Sequence, residues 1–144
     1  MSTKLEAKQS ITLNVPVSKV WDALTDPAQI KEYLFGTHTE SDWKKGSPIT
    51  YSGVWEGKEY VDKGVIKEII PGKALHTTYY SPLSGKDDKP ENYANVSYDL
   101  TESDGKTVLT VTQDNIDNEA GVAQSKKNWG MVMDGLKKLV ESEV

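Results

Sequence analysis

Cysteine is absent from this chain of 144 residues. That excludes a disulfide framework, a thiolate nucleophile and a Cys-ligated metal. Histidine occurs only twice, as His38 and His76, far apart and with no H-x-E-x-H spacing. A metal site would have to assemble carboxylates from scattered strands, so no metal and no cofactor is expected. The opening MSTKLEAKQS lacks the apolar stretch of a signal peptide. No apolar run approaches the roughly 20 residues that span a bilayer. Positive charge is also short: a net charge of −5 argues against general nucleic-acid binding, which needs a basic footprint. The expectation is a soluble cytoplasmic protein with no membrane span and no nucleic-acid partner. No serine sits in a nucleophile-elbow context. The glycines of GVWEGKEYVDKG flank strands rather than a helix N-terminus, so that stretch is not a phosphate loop.

What is present suffices for one domain over residues 1–144, with a modest core, since hydrophobic residues make up 36% of the chain. The aromatics are unevenly chosen: seven Tyr and four Trp against one Phe. Tyr and Trp bury a large ring but keep a polar tip that needs a partner. An oily core leans on Phe and Leu, whereas a cavity wall suits Tyr and Trp.

Along the chain, KQSITLNV (8–15) alternates, with Ile11, Leu13 and Val15 on one face of a strand. Pro16 ends it, and Ser18 is a candidate N-cap for a short helix carrying Val17, Val20, Trp21 and Leu24. Thr25-Asp26-Pro27 stops that helix and starts another, with Ile30, Tyr33 and Leu34 on one face and Gly36 at its end. Trp21 and Tyr33 are expected to pack these helices onto the sheet. The period then switches to two up to about residue 115. Strands are predicted around Ile49–Trp55, over Tyr60–Ile70 and Ala74–Tyr80, around Val96–Leu100, and over Val108–Asn115. Glu56-Gly57-Lys58, Pro71-Gly72 and Ser103-Asp104-Gly105-Lys106 read as turns. SPLSGKDDKPEN (81–92) reads as a mobile polar loop. A last helix over about 118–142 carries the stripe Val122, Trp129, Val132, Met133, Leu136, Leu139 and Val140. Strands in a run with helices gathered at the ends indicate an α+β fold, an antiparallel sheet covered by the long helix.

That order, with these residues, resembles the SRPBCC or START-like superfamily, the helix-grip fold. Within it the chain is most similar to the family named for activators of the heat-shock protein 90 ATPase. The stretches that carry the resemblance are VPVSKVWDALTDPAQIKEYL (15–34), KGVIKEIIPGKAL (63–75), KTVLTVTQDN (106–115) and NWGMVMDGLKKLV (128–140). The VW-x-x-L-T-D-P segment stands at Val20–Pro27. The tryptophan opening the final helix and its spaced apolar residues match Trp129, Met133, Leu136 and Val140. Three positions depart from the pattern: Asn128 replaces a glycine, Gln113 a histidine, and Tyr33 a tryptophan. The resemblance implies a curved sheet wrapped around the C-terminal helix, with a cavity between them. Gly130 and Gly135 then either permit close approach or leave room for a guest, or they lie on the exposed face.

By alternation and helical period, Tyr51, Trp55, Tyr79, Tyr98, Leu109, Val111, Gln113, Trp129 and Met133 should face inward. They either fill the core or line a pocket, in which Gln113, the tyrosine hydroxyls and His76 would orient a guest. His76 reads first as an ordinary strand residue, inward or outward, and alternatively as a pocket group that orients a ligand or acts as a general acid or base. The first functional expectation is binding of a small hydrophobic or aromatic ligand, a lipid or a metabolite, without catalysis. The second, implied by the resemblance, is a chaperone-associated module with a protein partner. In the eukaryotic activators the resembling domain works beside a separate N-terminal domain, for which 144 residues leave no room. The third is a cyclase-like enzyme, which needs an acid or base inside the cavity.

Overall fold

The computed structural model describes residues 5–34, 36–55, 57–82 and 87–141, with Trp55 described by its backbone alone. Among the described residues the first element is β1 (Leu5–Leu13), followed by α1 (Val17–Thr25) and α2 (Pro27–Tyr33). Six strands follow: β2 (His38–Ser41), β3 (Pro48–Trp55), β4 (Lys58–Ile70), β5 (Ala74–Tyr79), β6 (Ala94–Ser103) and β7 (Lys106–Ile116). The long helix α3 (Glu119–Glu141) ends the order. All seven strands form one antiparallel sheet in the order β1-β7-β6-β5-β4-β3-β2. This is the α+β arrangement expected from the sequence, with α3 laid against the sheet.

The turns follow from their residues. Asp104 and Gly105 both hold positive φ, 54° and 77°, as the two-residue turn between β6 and β7 requires. Pro71-Gly72 reverses the chain with Gly72 at φ 77° and a Lys73 N–H bond to the Ile70 carbonyl. Asp26 caps α2 by accepting from the Ala28 N–H at 3.1 Å. Ser18 does not cap α1. The N-cap position is Pro16, and the Glu102 carboxylate reaches across from β6 to accept from the Val17 N–H at 2.8 Å. The short strand β2 was not expected. Its HTES sequence is polar, and Thr39 alone in it is fully buried. Part of the 81–92 loop lies outside the described residues. Its end forms a single 3-10 turn at Pro90–Asn92, where Tyr93 donates to Asp88 at 2.6 Å and Asp88 pairs with Lys63.

Two features bend the sheet. At Gly64 the β4 backbone passes so close to β5 that an added Cβ would lie 1.7 Å from the Thr78 carbonyl oxygen. Next to it, β4 carries one extra residue between Ile66 and Glu68, opposite Thr77 and His76. The core divides accordingly. A larger cluster joins Leu13, Val20, Leu109, Val111, Met133, Leu136 and Val140 under α1 and the C-terminal half of α3. A smaller one joins Ile49, Ile66 and Leu75, with Trp21 packed against both. Tyr33 is buried between α2 and α3 and donates its hydroxyl to the Ala23 carbonyl at 2.9 Å.

Candidate functional site

The apolar stripe of α3 has two ends with different work. Met133, Leu136 and Val140 sink into the larger core cluster. Toward the N-terminus the helix stands off the sheet, and a cavity of about 580 Å³ opens beneath it. That volume lies within the usual range for small-molecule pockets. The inner faces of β3 to β7 form its floor and walls: Tyr51, Tyr60 and Asp62, then Thr77 and Tyr79, then Val96, Tyr98 and Gln113. Ser125, Trp129 and Val132 of α3 form the roof, and the exposed Val54, Gln124 and Asn128 stand at the rim.

The roof is held by a defined hydrogen bond. The Trp129 indole N–H donates to Gln113 Oε1 at 2.9 Å, and the Ser125 hydroxyl donates to the same oxygen at 3.3 Å. Trp129 also meets Tyr98 edge-on, with ring centroids 5.8 Å apart. The opposite wall carries Tyr51 and Tyr79, whose rings are 6.0 Å apart and tilted by 58°. Tyr60 folds over Gly53 on the neighbouring strand, where any Cβ would meet its hydroxyl at 2.7 Å, and it shares a 2.7 Å hydrogen bond with Thr37.

Asp62 is the one carboxylate among the described lining residues, and it is only 8% exposed. The Tyr79 hydroxyl donates to its Oδ2 at 2.5 Å, while Oδ1 is buried without a partner. Burial raises the pKa of Tyr79, and the bond to Asp62 raises it further. Tyr51 is raised by burial and then by the Asp62 charge. Tyr98 is raised by burial and then by its neighbours Tyr51, Tyr33 and Tyr79. Each shift favours the neutral phenol, and the Tyr79 hydroxyl is the one among them that donates to Asp62.

The structure brings five of the residues expected from the sequence to this cavity: Tyr51, Tyr79, Tyr98, Gln113 and Trp129. Leu109, Val111 and Met133 do face inward, but they fill the packed core beyond the cavity, each 3% exposed or less. Their end of the sheet is closed by α1 and the C-terminal half of α3. His76 is corrected in position. It alternates out of phase with the buried Leu75 and Thr77 and points to the outer face, 2.9 Å from Asp99. The side chain of Trp55 lies outside the described residues. Thr37, Tyr60 and Asp62 were missed. The observed pairing of Asp62 opposite Tyr51 and of Tyr60 opposite Gly53 places these two on the inner face, which alternation counted along β4 alone does not show.

Gly130 and Gly135 of α3 do not open the cavity. A Cβ at Gly135 would touch Tyr33 Cβ at 3.4 Å, so this glycine allows close packing of α2 on α3. At Gly130 the nearest atom is Gln9 Nε2, 3.8 Å away, and that amide donates to the Lys126 carbonyl at 3.1 Å.

A curved antiparallel sheet closed by a long C-terminal helix over a lined cavity defines a helix-grip protein of the SRPBCC type. Residues 14–141 match the family described as Activator of Hsp90 ATPase homolog 1-like protein, and the chain belongs to that family. A protein from Cytophaga hutchinsonii, known from a solution structure, is 43% identical, with a TM-score of 0.88 over 99% of this chain and 98% of its own. A Mesorhizobium loti protein superposes with a TM-score of 0.77 at 21% identity, covering 96% of this chain and 98% of its own. A Colwellia psychrerythraea protein, described as an Aha1 dimer, does so with a TM-score of 0.75 at 18% identity, covering 95% and 96%. The last two are alike in fold alone. No curated protein matches the chain.

Proposed function

We propose that this protein binds a small, largely apolar ligand in the cavity between the sheet and the N-terminal half of α3. The observation that carries the reading is the cavity of about 580 Å³, walled by aromatic side chains and left unfilled by the core. Binding is driven by removing apolar surface from water, about 25 cal/mol per Å². The Gln113–Trp129 pair and the tyrosine hydroxyls orient the guest.

The test is a titration with 1-ethylnaphthalene, a neutral aromatic hydrocarbon. Binding raises the melting temperature with ligand concentration, by an amount equivalent to about 2.7 kcal/mol at 100 times Kd. It also shifts the NMR signal of the Trp129 indole N–H. A neutral probe that leaves that signal and those of Tyr51, Tyr79 and Tyr98 in place, at saturating concentration, sinks the reading. Among the described lining residues an enzyme reading rests on the Asp62 carboxylate, and it requires a turnover lost on Asp62→Asn.

A further inference from the structure

Asp62 is costly where it stands. Its neighbours Val61 and Val65 point outward and are 55% and 41% exposed, while the carboxylate points in. A buried carboxylate needs hydrogen bonds on both oxygens and a compensating charge. The fold supplies one bond only, from Tyr79 to Oδ2. Oδ1 is left buried and unpaired on the cavity wall. All seventeen basic residues are lysines, and none is among the described residues lining the cavity. Lys63, next in sequence, points the other way and pairs with Asp88.

From this we propose that the ligand carries an amine, and that its ammonium group is held by Asp62 Oδ1. The inference rests on the cavity reading above and names the chemistry of one end of the guest. The Tyr79 hydroxyl donates a hydrogen bond to Oδ2, so Oδ1 is the oxygen left to accept from a donor on the ligand. An ammonium supplies both the missing hydrogen bond and the missing charge. The rings of Tyr51 and Tyr79 flank the site, and aromatic faces attract cations. The net charge of −5 favours the approach of a cation and opposes that of an anion. The apolar body of the ligand then extends toward Tyr98 and Trp129.

The experiment compares three probes of one shape by NMR titration of the full chain: 1-naphthylmethylamine, 1-ethylnaphthalene and 1-naphthylacetate. The amine is expected to bind ~10- to 100-fold more tightly than the hydrocarbon, the gain of a charge-assisted bond, and the acetate more weakly than either. Asp62→Asn should erase that preference, bringing the amine and the hydrocarbon to within about 3-fold of one another. Tyr79→Phe frees Oδ2 but keeps the carboxylate, so the preference should survive it. Equal affinity of amine and hydrocarbon for the natural protein overturns the inference and leaves the cavity reading standing. So does an amine preference that persists in Asp62→Asn. If none of the probes enters the cavity, the cavity reading itself fails. Should Asp62→Asn not fold, the Asp62 side-chain carboxyl carbon signal of the natural protein decides. It moves on adding the amine and not on adding the hydrocarbon, or the inference is wrong.

Discussion

Gly64 and Gly130 look alike in sequence and differ completely in what surrounds them. At Gly64 any side chain would overlap the Thr78 carbonyl at 1.7 Å, and backbone cannot move aside cheaply. Gly64→Ala should therefore cost more than about 4 kcal/mol or prevent folding, as read by chemical denaturation. A midpoint close to the natural one would show that β4 and β5 can separate there. At Gly130 the nearest atom is the amide of Gln9 at an ordinary contact distance of 3.8 Å. Gly130→Ala should raise stability by ~0.5–1 kcal/mol through helix propensity alone. Gly135→Ala should gain no more than that, because its Cβ would sit at the near edge of ordinary contact with Tyr33, 3.4 Å away, with no room to spare. A destabilised Gly130→Ala would mean that α3 needs this glycine for something other than packing.

Helix ends are tied by residues distant in sequence, and two of those ties can be cut singly. Glu102 on β6 accepts from the first N–H of α1, at the positive end of the helix dipole. Glu102→Ala should cost about 1 kcal/mol, the usual worth of a lost cap. At the other end of the chain, Glu141 accepts from the Asn14 N–H at 2.8 Å and pairs with Lys137 at 2.6 Å. The Asn14 bond first, and then Lys137, hold its pKa below the ordinary 4.5. A depressed carboxylate stabilises the fold fully above its unfolded value and loses that contribution as the pH falls through the folded value. Glu141→Gln should therefore melt below the natural protein at neutral pH and converge with it in acid. Parallel melting curves across that range would remove Glu141 from the account.

The long helix joins the two halves of the molecule because its own halves do different things. Leu136, 1% exposed, anchors the packed half, and Leu136→Ala should cost ~2–5 kcal/mol. Trp129, half-buried at the roof, holds the open half through Gln113. Trp129→Phe keeps a ring over the cavity and removes the indole N–H, so it should cost only about 1 kcal/mol. Hydrogen exchange should be faster over the N-terminal turns of α3 than around Leu136, with the difference narrowing when a ligand fills the cavity. Uniform protection along α3 would contradict this division.

Apart from β2, whose polar HTES carries no strand signal, element order and most turns were legible in the residues, because those signals are local. Asp104-Gly105 must adopt positive φ, and Asp26-Pro27 must end one helix and begin another. Tyr51, Tyr79, Tyr98 and Trp129 could be aimed inward by period alone. Leu109, Val111 and Met133 share that period, yet they lie in solid core. Whether an inward face is filled depends on how far the opposite layer stands away, and no local signal carries that distance. Asp62 shows the limit most clearly. Counting back by twos from the inward Ile69 buries Val65 and Val61 and exposes Asp62. The extra residue between Ile66 and Glu68 shifts the phase, and the pairing of Tyr51 with Asp62 turns the carboxylate inward. Local preference thus specified most of the elements and where they turn, with β2 formed only by its pairing to β3. Only the assembled sheet, through its bulge and its curvature against α3, determined which side chains meet across the cavity.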